Sequence, residues 1–259
     1  MIVYFSGTGN SRAVAQRLGS LLCDSLYEIS GIAAARPSEA AMLSLAAGDS
    51  RIVWVFPTYS WGVPPVVGRF IRDIRTDDSV GAAVHWMVTT CGDDTGRTDG
   101  VFRRLVEARG WKAAGAAFSV IMPNTYTLMK GFDVDTPEVA AAKLEAMPAA
   151  VGRIAAVIDG RGERQSLIRR GAFARIKTAI VYPWFKKYAM SARPFHTTAA
   201  CTACGLCSRK CPLMNIEMTA DGPRWHDNCA LCLRCYHICP CHAVAYGKAT
   251  EGKGQYMFH

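Results

Sequence analysis

Two copies of one cysteine pattern constrain this chain more than any other feature. Each copy reads C-x2-C-x2-C-x3-C-P, a spacing typical of [4Fe–4S] cluster ligands. The first copy comprises Cys201, Cys204, Cys207 and Cys211 and ends at Pro212, and the second comprises Cys229, Cys232, Cys235 and Cys239 and ends at Pro240. Three thiolates this close together can bind three corners of a cubane cluster when the backbone curls around it. The pattern therefore predicts that all of these cysteines are metal ligands.

The fourth cysteine of each copy predicts how two clusters share their ligands. It lies beyond a short turn, which the following proline ends because proline has no N–H to continue a helix. In two-cluster ferredoxins of the bacterial type, this cysteine binds the other cluster. We therefore expect crossed ligand sets. Cluster 1 is bound by Cys201, Cys204, Cys207 and Cys239, and cluster 2 is bound by Cys229, Cys232, Cys235 and Cys211.

Zinc is the main alternative for a cysteine-rich segment. Structural zinc sites take four ligands, commonly from paired C-x2-C knuckles. Cysteine triplets followed by an outlying Cys-Pro fit that arrangement poorly. The spacing therefore favours iron–sulfur clusters.

Length and composition limit the remaining classes of protein. The chain has 259 residues, half of them apolar, which suggests about two domains. No window contains the roughly 18 uninterrupted apolar residues of a membrane span, and the N-terminus lacks the basic and apolar regions of a signal peptide. Because most of the 11 cysteines belong to the two copies, disulfides are not the organising chemistry and we expect a reducing, cytoplasmic location.

The first 160 residues alternate between strand and helix patterns. Strands are predicted at 2–5, 25–29, 51–56, 83–90 and 116–122, and helices at 10–22, 64–73, 96–109 and 136–159. Pro148 predicts a kink or break in the last helix. Five strands interleaved with helices indicate an α/β fold, in which a parallel sheet carries helices on both faces.

A loop rich in glycine and hydroxyl residues joins the first strand to the first helix. Its residues are Ser6, Gly7, Thr8, Gly9, Asn10 and Ser11. Free backbone N–H groups and the positive end of the helix converge at such a position, which favours phosphate binding. The loop is neither a Walker A loop nor a GxGxxG motif. A plain tight turn is the alternative interpretation.

The sequence S-x-T-G-N-S after a first strand resembles the FMN-phosphate loop of flavodoxins. That family has a five-stranded parallel sheet of order 2-1-3-4-5, with FMN beyond the carboxyl ends of the strands. The resemblance implies isoalloxazine contacts from two further loops. These are Pro57, Thr58, Tyr59, Ser60, Trp61 and Gly62 after the third strand, and Thr90, Cys91, Gly92 and Asp93 after the fourth. Tyr59 and Trp61 are candidates for stacking on the ring, and packing on the sheet edge is the alternative.

The whole chain resembles the flavodoxin–ferredoxin fusion proteins of anaerobic bacteria and archaea. This resemblance implies FMN and two [4Fe–4S] clusters as cofactors. It also implies a flavodoxin-like domain at 1–160, a basic amphipathic linker at 161–195 and a small α+β dicluster ferredoxin domain at 196–259.

The function that these features predict is electron transfer between a redox donor and an acceptor protein, with no catalytic side chain of its own. One alternative is a flavoenzyme that reduces a small molecule such as a quinone, in a pocket lined by Tyr59, Trp61 and residues 124–126. Another is a non-catalytic adaptor that docks on a partner complex.

The positive charge of the chain lies mostly in the predicted linker. Residues 161–193 hold 9 Lys or Arg and 1 acidic residue, in a chain of formal net charge +9. Apolar residues recur there at about helical spacing, and Pro183 is expected to interrupt any single helix. The apolar face can dock on a neighbouring domain. Alternatively, the segment binds an acidic redox partner or an anionic membrane surface. No motif for nucleic-acid recognition accompanies the charge.

Overall fold

The computed structural model of the protein describes residues 1–163 and 165–258. Its largest element is a five-stranded parallel sheet of order β2-β1-β3-β4-β5. The strands are β1 (Ile2–Tyr4), β2 (Leu26–Glu28), β3 (Arg51–Pro57), β4 (Val84–Cys91) and β5 (Lys112–Ile121). All four strand pairs are parallel. The predicted flavodoxin-like α/β fold and its strand order are therefore confirmed.

Helices cover both faces of this sheet. They are α1 (Asn10–Leu22), α2 (Gly31–Ala35), α3 (Pro65–Asp73), α4 (Asp78–Ala82), α5 (Thr98–Glu107) and α6 (Pro137–Ile158). One apolar core contains Trp54 and Phe70, and the other contains Val53 and Phe118. The two cores lie on opposite faces because neighbouring strand residues such as Val53 and Trp54 point to opposite sides of a sheet.

The ends of α1 and α6 follow from capping residues. Gly9 precedes α1 with a φ of 99°, a left-handed conformation that glycine adopts without steric cost. Thr136 caps α6, where its side chain accepts a hydrogen bond from the Val139 N–H. The break expected at Pro148 is absent, since α6 continues through it. Pro148 is exposed, so water can satisfy the carbonyl that the proline leaves without a donor.

The segment after α6 is helical from residue 174 to residue 189. It consists of α7 (Ala174–Ile176), a π-helical turn (Lys177–Val181), α8 (Tyr182–Trp184) and a second π-helical turn (Phe185–Ala189). The expectation that Pro183 interrupts this helix was wrong. Pro183 lies in the first turn of α8, and the flanking π turns shift the backbone hydrogen bonds around its missing donor.

The cysteine-rich part is a small α+β unit. It contains β6 (Phe195–Thr197), α9 (Leu206–Arg209), β7 (Ile216–Thr219), β8 (Gly222–Trp225), α10 (Arg234–His237) and β9 (Val244–Tyr246). β6 pairs with β9 and β7 pairs with β8, both antiparallel. Leu213 and Ala230 belong to the same apolar core as Trp54, so this unit packs directly on the sheet domain. The predicted boundaries at 160 and 195 stay predictions.

Within the described part of the chain, no helix combines the length and the apolar character that crossing a bilayer requires.

Candidate functional site

Two cavities lie within the cysteine-rich unit. Cavity 1 has an empty volume of about 360 Å³, part of it open to solvent, and is lined by Cys201, Cys204, Cys207 and Cys239. Cavity 2 has an empty volume of about 330 Å³ and is lined by Cys211, Cys229, Cys232 and Cys235. The cysteines thus form the same two groups that the sequence predicts as crossed ligand sets. Cys241, which the pattern did not select, also lines cavity 1.

The cavities suit a group larger than a single metal ion. Zinc holds sulfur ligands at about 2.3 Å, so its four thiolates converge closely on one point. Among residues 1–163 and 165–258, no three His, Cys, Asp or Glu side chains converge in that manner. The cysteines instead surround a volume, as the ligands of a multi-atom cluster do. The donor set therefore fits [4Fe–4S] clusters, which remain a proposal.

Short loops and turns place the cysteines around each cavity. Backbone N–H groups already point at three of the thiol sulfurs: Asn215 donates to Cys211 Sγ at 3.3 Å, Leu231 to Cys229 Sγ at 3.3 Å, and Ala243 to Cys239 Sγ at 3.2 Å. Hydrogen bonds of this kind stabilise a thiolate and, in a cluster, the reduced state.

The cysteines of the two cavities differ in exposure, although both cavities are partly open to solvent. Cys204 in cavity 1 is exposed, whereas Cys235 in cavity 2 is buried. Burial, followed by the neighbouring Cys232, raises the pKa of Cys229 to about 12. Burial also raises the pKa of Cys235 well above its usual value. Because only the thiolate is a good metal ligand, loading cavity 2 must release protons from these thiols.

The glycine-rich loop after β1 faces the cysteine-rich unit. Its side chains are used within the sheet domain: Ser6 Oγ accepts from the Gly9 N–H at 3.1 Å, Asn10 Nδ2 donates to Pro123 O at 2.9 Å, and Ser11 Oγ lies 2.7 Å from Thr90 Oγ1. The loop thus has the position and the residue types of a phosphate-binding loop.

Arg234 clamps this loop from the cysteine-rich side. Its guanidinium donates to Gly7 O and Ser6 O, both at 2.6 Å, and to Lys210 O at 3.2 Å. The Cys232 carbonyl lies so close to Gly7 that a Cβ there would come within 2.7 Å of its oxygen. Glycine at position 7 therefore permits close approach of the protein's own backbone.

Residues 255–258 cover the other side of the same loop. Phe258 donates its N–H to Thr8 O at 2.9 Å and accepts from Arg12 Nη2 at 3.1 Å. Tyr256 donates its hydroxyl to Asn10 Oδ1 at 3.2 Å. A Cβ at Gly9 would collide with the carbonyl of Phe258. The segment 255–258 therefore occupies the approach to the helix N-terminus.

The loop after β3 is packed in the same way. Tyr59 is partly buried against the cysteine-rich unit, and burial, with smaller contributions from Cys232 and Cys229, raises the pKa of its hydroxyl well above the usual value. Trp61 packs against Gly96, and Lys177 Nζ lies 4.9 Å from the centre of its ring. The ring of Tyr182 covers Gly62. The other residues of this loop that were predicted to contact isoalloxazine are Pro57, Thr58 and Ser60.

The loop after β4 makes contacts with the sheet domain and the linker. Thr90 lies against Ser11, and the Gly92 carbonyl accepts from Lys143 Nζ at 3.0 Å. Asp93 pairs with Arg169 at 2.8 Å. Cys91 is buried, and burial, followed by Asp94 and Asp93, raises its pKa to about 12. Its thiol is therefore protonated at neutral pH.

The loops predicted to bind FMN are covered by other parts of the chain in the arrangement described here. Backbone carbonyls of Cys232 and Phe258 lie against the phosphate-loop glycines, and Trp61 fills the space beside Gly96. Residues 124–126, which were predicted to line a pocket for a small molecule, contact the cysteine-rich unit. His237 Nε2 lies 2.8 Å from Thr125 O, and Tyr126 packs in the core of the cysteine-rich unit. FMN can occupy these loops only if the covering segments move.

Several residues of this interface were missed by the sequence interpretation. Arg234, Tyr256 and Phe258 connect the two parts of the chain over more than two hundred positions. The sequence signal for Arg234 was its position between two predicted cluster ligands. Burial lowers the pKa of His237 to about 4, so it acts as a neutral hydrogen-bonding residue.

No known protein family matches the chain, and no curated relative matches it. Among solved structures, it is similar to a flavodoxin from Streptococcus pneumonia TIGR4, with 18% identity and a TM-score of 0.31 over 58% of this chain and 94% of that one. It is also similar to Fusobacterium nucleatum flavodoxin bound to flavin mononucleotide, with 11% identity and a TM-score of 0.36 over 62% and 97%.

A third similar structure is the Trp repressor binding protein from Bacillus subtilis, with 12% identity and a TM-score of 0.36 over 59% of this chain and 96% of that one. Likenesses this low bear on neither cofactor nor activity. The fold assignment rests on the strand order of the sheet itself.

Proposed function

We propose that this protein transfers single electrons between redox partners through two [4Fe–4S] clusters, one in each cavity. The observation that carries the proposal is the partition of the cysteines, because each cavity is lined by one of the crossed ligand sets. A cluster of this type takes up or releases one electron, at a potential set by hydrogen bonds, burial and nearby charge.

The difference in exposure supports distinct positions for the two clusters along an electron path. Cys204 exposes the edge of cavity 1 to solvent, so a redox partner can approach there. The wall of cavity 2 near Cys232 instead faces Gly7 and Tyr59 of the sheet domain. We therefore propose cavity 1 as the exchange surface and cavity 2 as the interior site.

FMN binding at residues 6–11 stays a prediction. The residue types and the position at the start of α1 support it, whereas the contacts of Arg234 and Phe258 with the loop oppose it. We derive no role for FMN in the present arrangement. The sheet domain serves here as the support on which the cysteine-rich unit is held.

Anaerobic purification of the full chain tests the proposal. Iron, acid-labile sulfide, zinc and flavin are measured, together with EPR spectra of the reduced protein. We expect about eight iron and about eight sulfide per chain and two interacting [4Fe–4S] signals. Replacing the exposed Cys23, which lines neither cavity, with serine is the matched control and should leave the iron content unchanged.

Two results would decide against parts of this proposal. Stoichiometric zinc with little iron would refute the electron-transfer function. One tightly bound FMN per chain would show that residues 255–258 and the Cys232 region leave the loop in solution, and would assign flavin to the sheet domain. Clusters without flavin, even after addition of FMN, would leave the sheet domain as a support only.

A further inference from the structure

The helix at residues 174–189 presents an unusual surface. Five large apolar side chains at successive helical turns are 55–75% exposed, and we call them the apolar stripe. They are Phe173, Ile176, Ile180, Trp184 and Tyr188. The opposite side of the same helix is fixed to the protein. The expectation that the apolar face docks on a domain therefore holds for one side of the helix only.

Three residues fix the buried side. Tyr182 donates its hydroxyl to Val63 O at 2.6 Å, Thr178 donates to Trp61 O at 2.8 Å, and Phe185 lies in the core of the cysteine-rich unit. Because these contacts hold the helix in place, the apolar stripe is exposed without any unfolding. Stable exposure of a contiguous apolar surface is typical of an interaction site.

Positive charge surrounds the apolar stripe. The sequence contains no acidic residue from 164 to 193. Part of the basic charge is neutralised within the protein, since Arg169, Arg170 and Lys177 pair with Asp93, Asp99 and Asp94. Within the described residues, no ion pair involves Arg175, Lys186 or Lys187, and all three side chains are exposed. Lys187 Nζ lies 5.0 Å from the centre of the Tyr188 ring in the stripe, whereas Lys186 Nζ lies 4.5 Å from the ring of Tyr182 on the buried side.

We propose that the 174–189 helix docks on an anionic lipid surface, with the apolar stripe in the headgroup region and the lysines on the lipid phosphates. Trp, Tyr and Phe on one side and Lys or Arg on the other are the features of helices that lie in a membrane interface. A protein partner is less favoured, because no residue of the stripe lines either cavity. A redox partner has to approach a cavity edge.

Vesicle co-sedimentation of the full-length holoprotein tests this proposal. We expect binding to phosphatidylcholine vesicles that contain about one third phosphatidylserine, weaker binding as salt rises, and little binding to phosphatidylcholine alone. K186E/K187E should weaken binding at least roughly twenty-five-fold, since each basic residue near an anionic surface contributes about a factor of five. W184S/Y188S should weaken it roughly tenfold or more.

The matched control is M129S/K130E, which alters an exposed apolar residue and an adjacent lysine outside the helix. It should bind as the unaltered protein does. The proposal is overturned if the holoprotein stays in solution with anionic vesicles at low salt, or if the control weakens binding as much as K186E/K187E does. The proposal is also overturned if the holoprotein binds an acidic protein but does not bind vesicles.

A second inference rests on an independent observation in cavity 2. Trp225 lines this cavity, and its buried indole N–H faces the Cys235 thiol but makes no hydrogen bond of good geometry with any described residue. The ring is held parallel to Phe195, with centroids 5.5 Å apart and an interplanar angle of 15°. A buried donor without an acceptor destabilises the folded protein. We therefore expect an acceptor for this N–H inside the cavity.

We infer that Trp225 donates its indole N–H to a sulfur of cluster 2 and raises the potential of that cluster above the value it would have without this hydrogen bond. This inference rests on the proposed function. A hydrogen bond to sulfur stabilises the reduced, more negative state of a cluster. Trp225 is therefore a positioning and tuning residue, and it takes no part in ligation.

EPR-monitored redox titration of the full-length holoprotein tests this role. Trp225→Phe keeps the stacking on Phe195 and removes the donor, so one of the two clusters should shift to a lower potential while the other is unchanged. Trp184→Phe, on the exposed helix, should shift neither. Two unchanged potentials in iron-loaded Trp225→Phe refute the inference alone, whereas a protein without iron refutes the proposed function and this inference with it.

Discussion

His85 shows how burial sets the state of a single residue in the sheet domain. Its Nδ1 accepts from the Trp54 indole N–H at 3.0 Å, which leaves the proton on Nε2 to be donated to Val80 O at 2.9 Å. The ring stacks on Trp111 with centroids 4.7 Å apart. Burial lowers the pKa of His85 to about 4. The imidazole is therefore neutral in the folded protein.

The pKa of His85 predicts a pH dependence of stability. As pH falls, the unfolded chain, whose histidine pKa is near 6.5, binds a proton before the folded chain does. The contribution of neutral His85 to the free energy of unfolding is therefore complete above about pH 6.5 and is lost as pH falls towards 4. Between pH 7.5 and 5.5, we expect His85 to contribute a loss of about 1.4 kcal/mol in the free energy of unfolding. Urea titrations should show a loss that is smaller by this amount in His85→Gln than in the wild type and in His196→Gln, an exposed control, because the buried His237 keeps its own contribution.

The crossed ligand sets predict which cysteine variants resemble one another. Cys239→Ser should give the same reduced EPR spectrum as Cys201→Ser, because both side chains line cavity 1. Cys211→Ser should match Cys229→Ser, because both line cavity 2. Each variant should lose about half of the iron or alter one of two signals. Resemblance of Cys239→Ser to Cys229→Ser would show that the sets are not crossed.

At the scale of elements, Arg109 fixes the end of α3. Its Nη1 donates to Ile71 O at 2.7 Å, Arg72 O at 2.9 Å and Ile74 O at 3.1 Å. The guanidinium also lies 4.4 Å from the centre of the Trp111 ring. The last carbonyls of a helix have no partner within it, and here a residue after α5 supplies the donors.

Loss of this cap should destabilise the sheet domain. Arg109→Ala removes a charged donor from three carbonyls, and we expect a cost of roughly 2 kcal/mol in the free energy of unfolding. Thermal unfolding followed by circular dichroism measures it. Arg153→Ala, an exposed arginine on α6, is the control and should change stability by less than about 0.5 kcal/mol. Equal effects of the two substitutions would contradict the capping role.

Regular elements were predictable because their signals are local. The helix predicted at 10–22 is α1 (Asn10–Leu22), and the predicted strand at 51–56 falls within β3 (Arg51–Pro57). β5 begins earlier than expected, at Lys112, because Lys112 and Ala113 pair with Val84 and His85 of β4 although alanine has little strand propensity. The π turns around Pro183 have no sequence signal, since they depend on how Tyr182 and Phe185 pack.

At the scale of the whole molecule, the loop after β1 connects the two parts of the chain. Arg234, Phe258 and Tyr256 all bind it, from positions more than 220 residues away. The grouping of the cysteines around the two cavities could be predicted, because it follows from their local spacing; their role as ligands stays a prediction. The covering of the loop could not, because contacts between distant segments leave no periodic pattern in the sequence.

Arg234 should therefore control the coupling of the two parts. Arg234→Ala removes two hydrogen bonds of 2.6 Å to Ser6 O and Gly7 O. We expect amide hydrogen exchange in residues 6–12 to accelerate at least tenfold, as local opening becomes easier by about 1.5–3 kcal/mol. Arg224→Ala, an exposed arginine on β8, should leave that exchange unchanged. Unaltered exchange in Arg234→Ala would show that the clamp does not hold the loop.

The contact between Phe258 and Thr8 can form only late in the synthesis of the chain. At about 5–20 residues per second, roughly 10–50 seconds separate the synthesis of Gly9 from that of Phe258. During that interval the sheet can form while its first loop remains open to the solution. The nascent chain thus presents to small anions in the cell a surface that the finished molecule has closed.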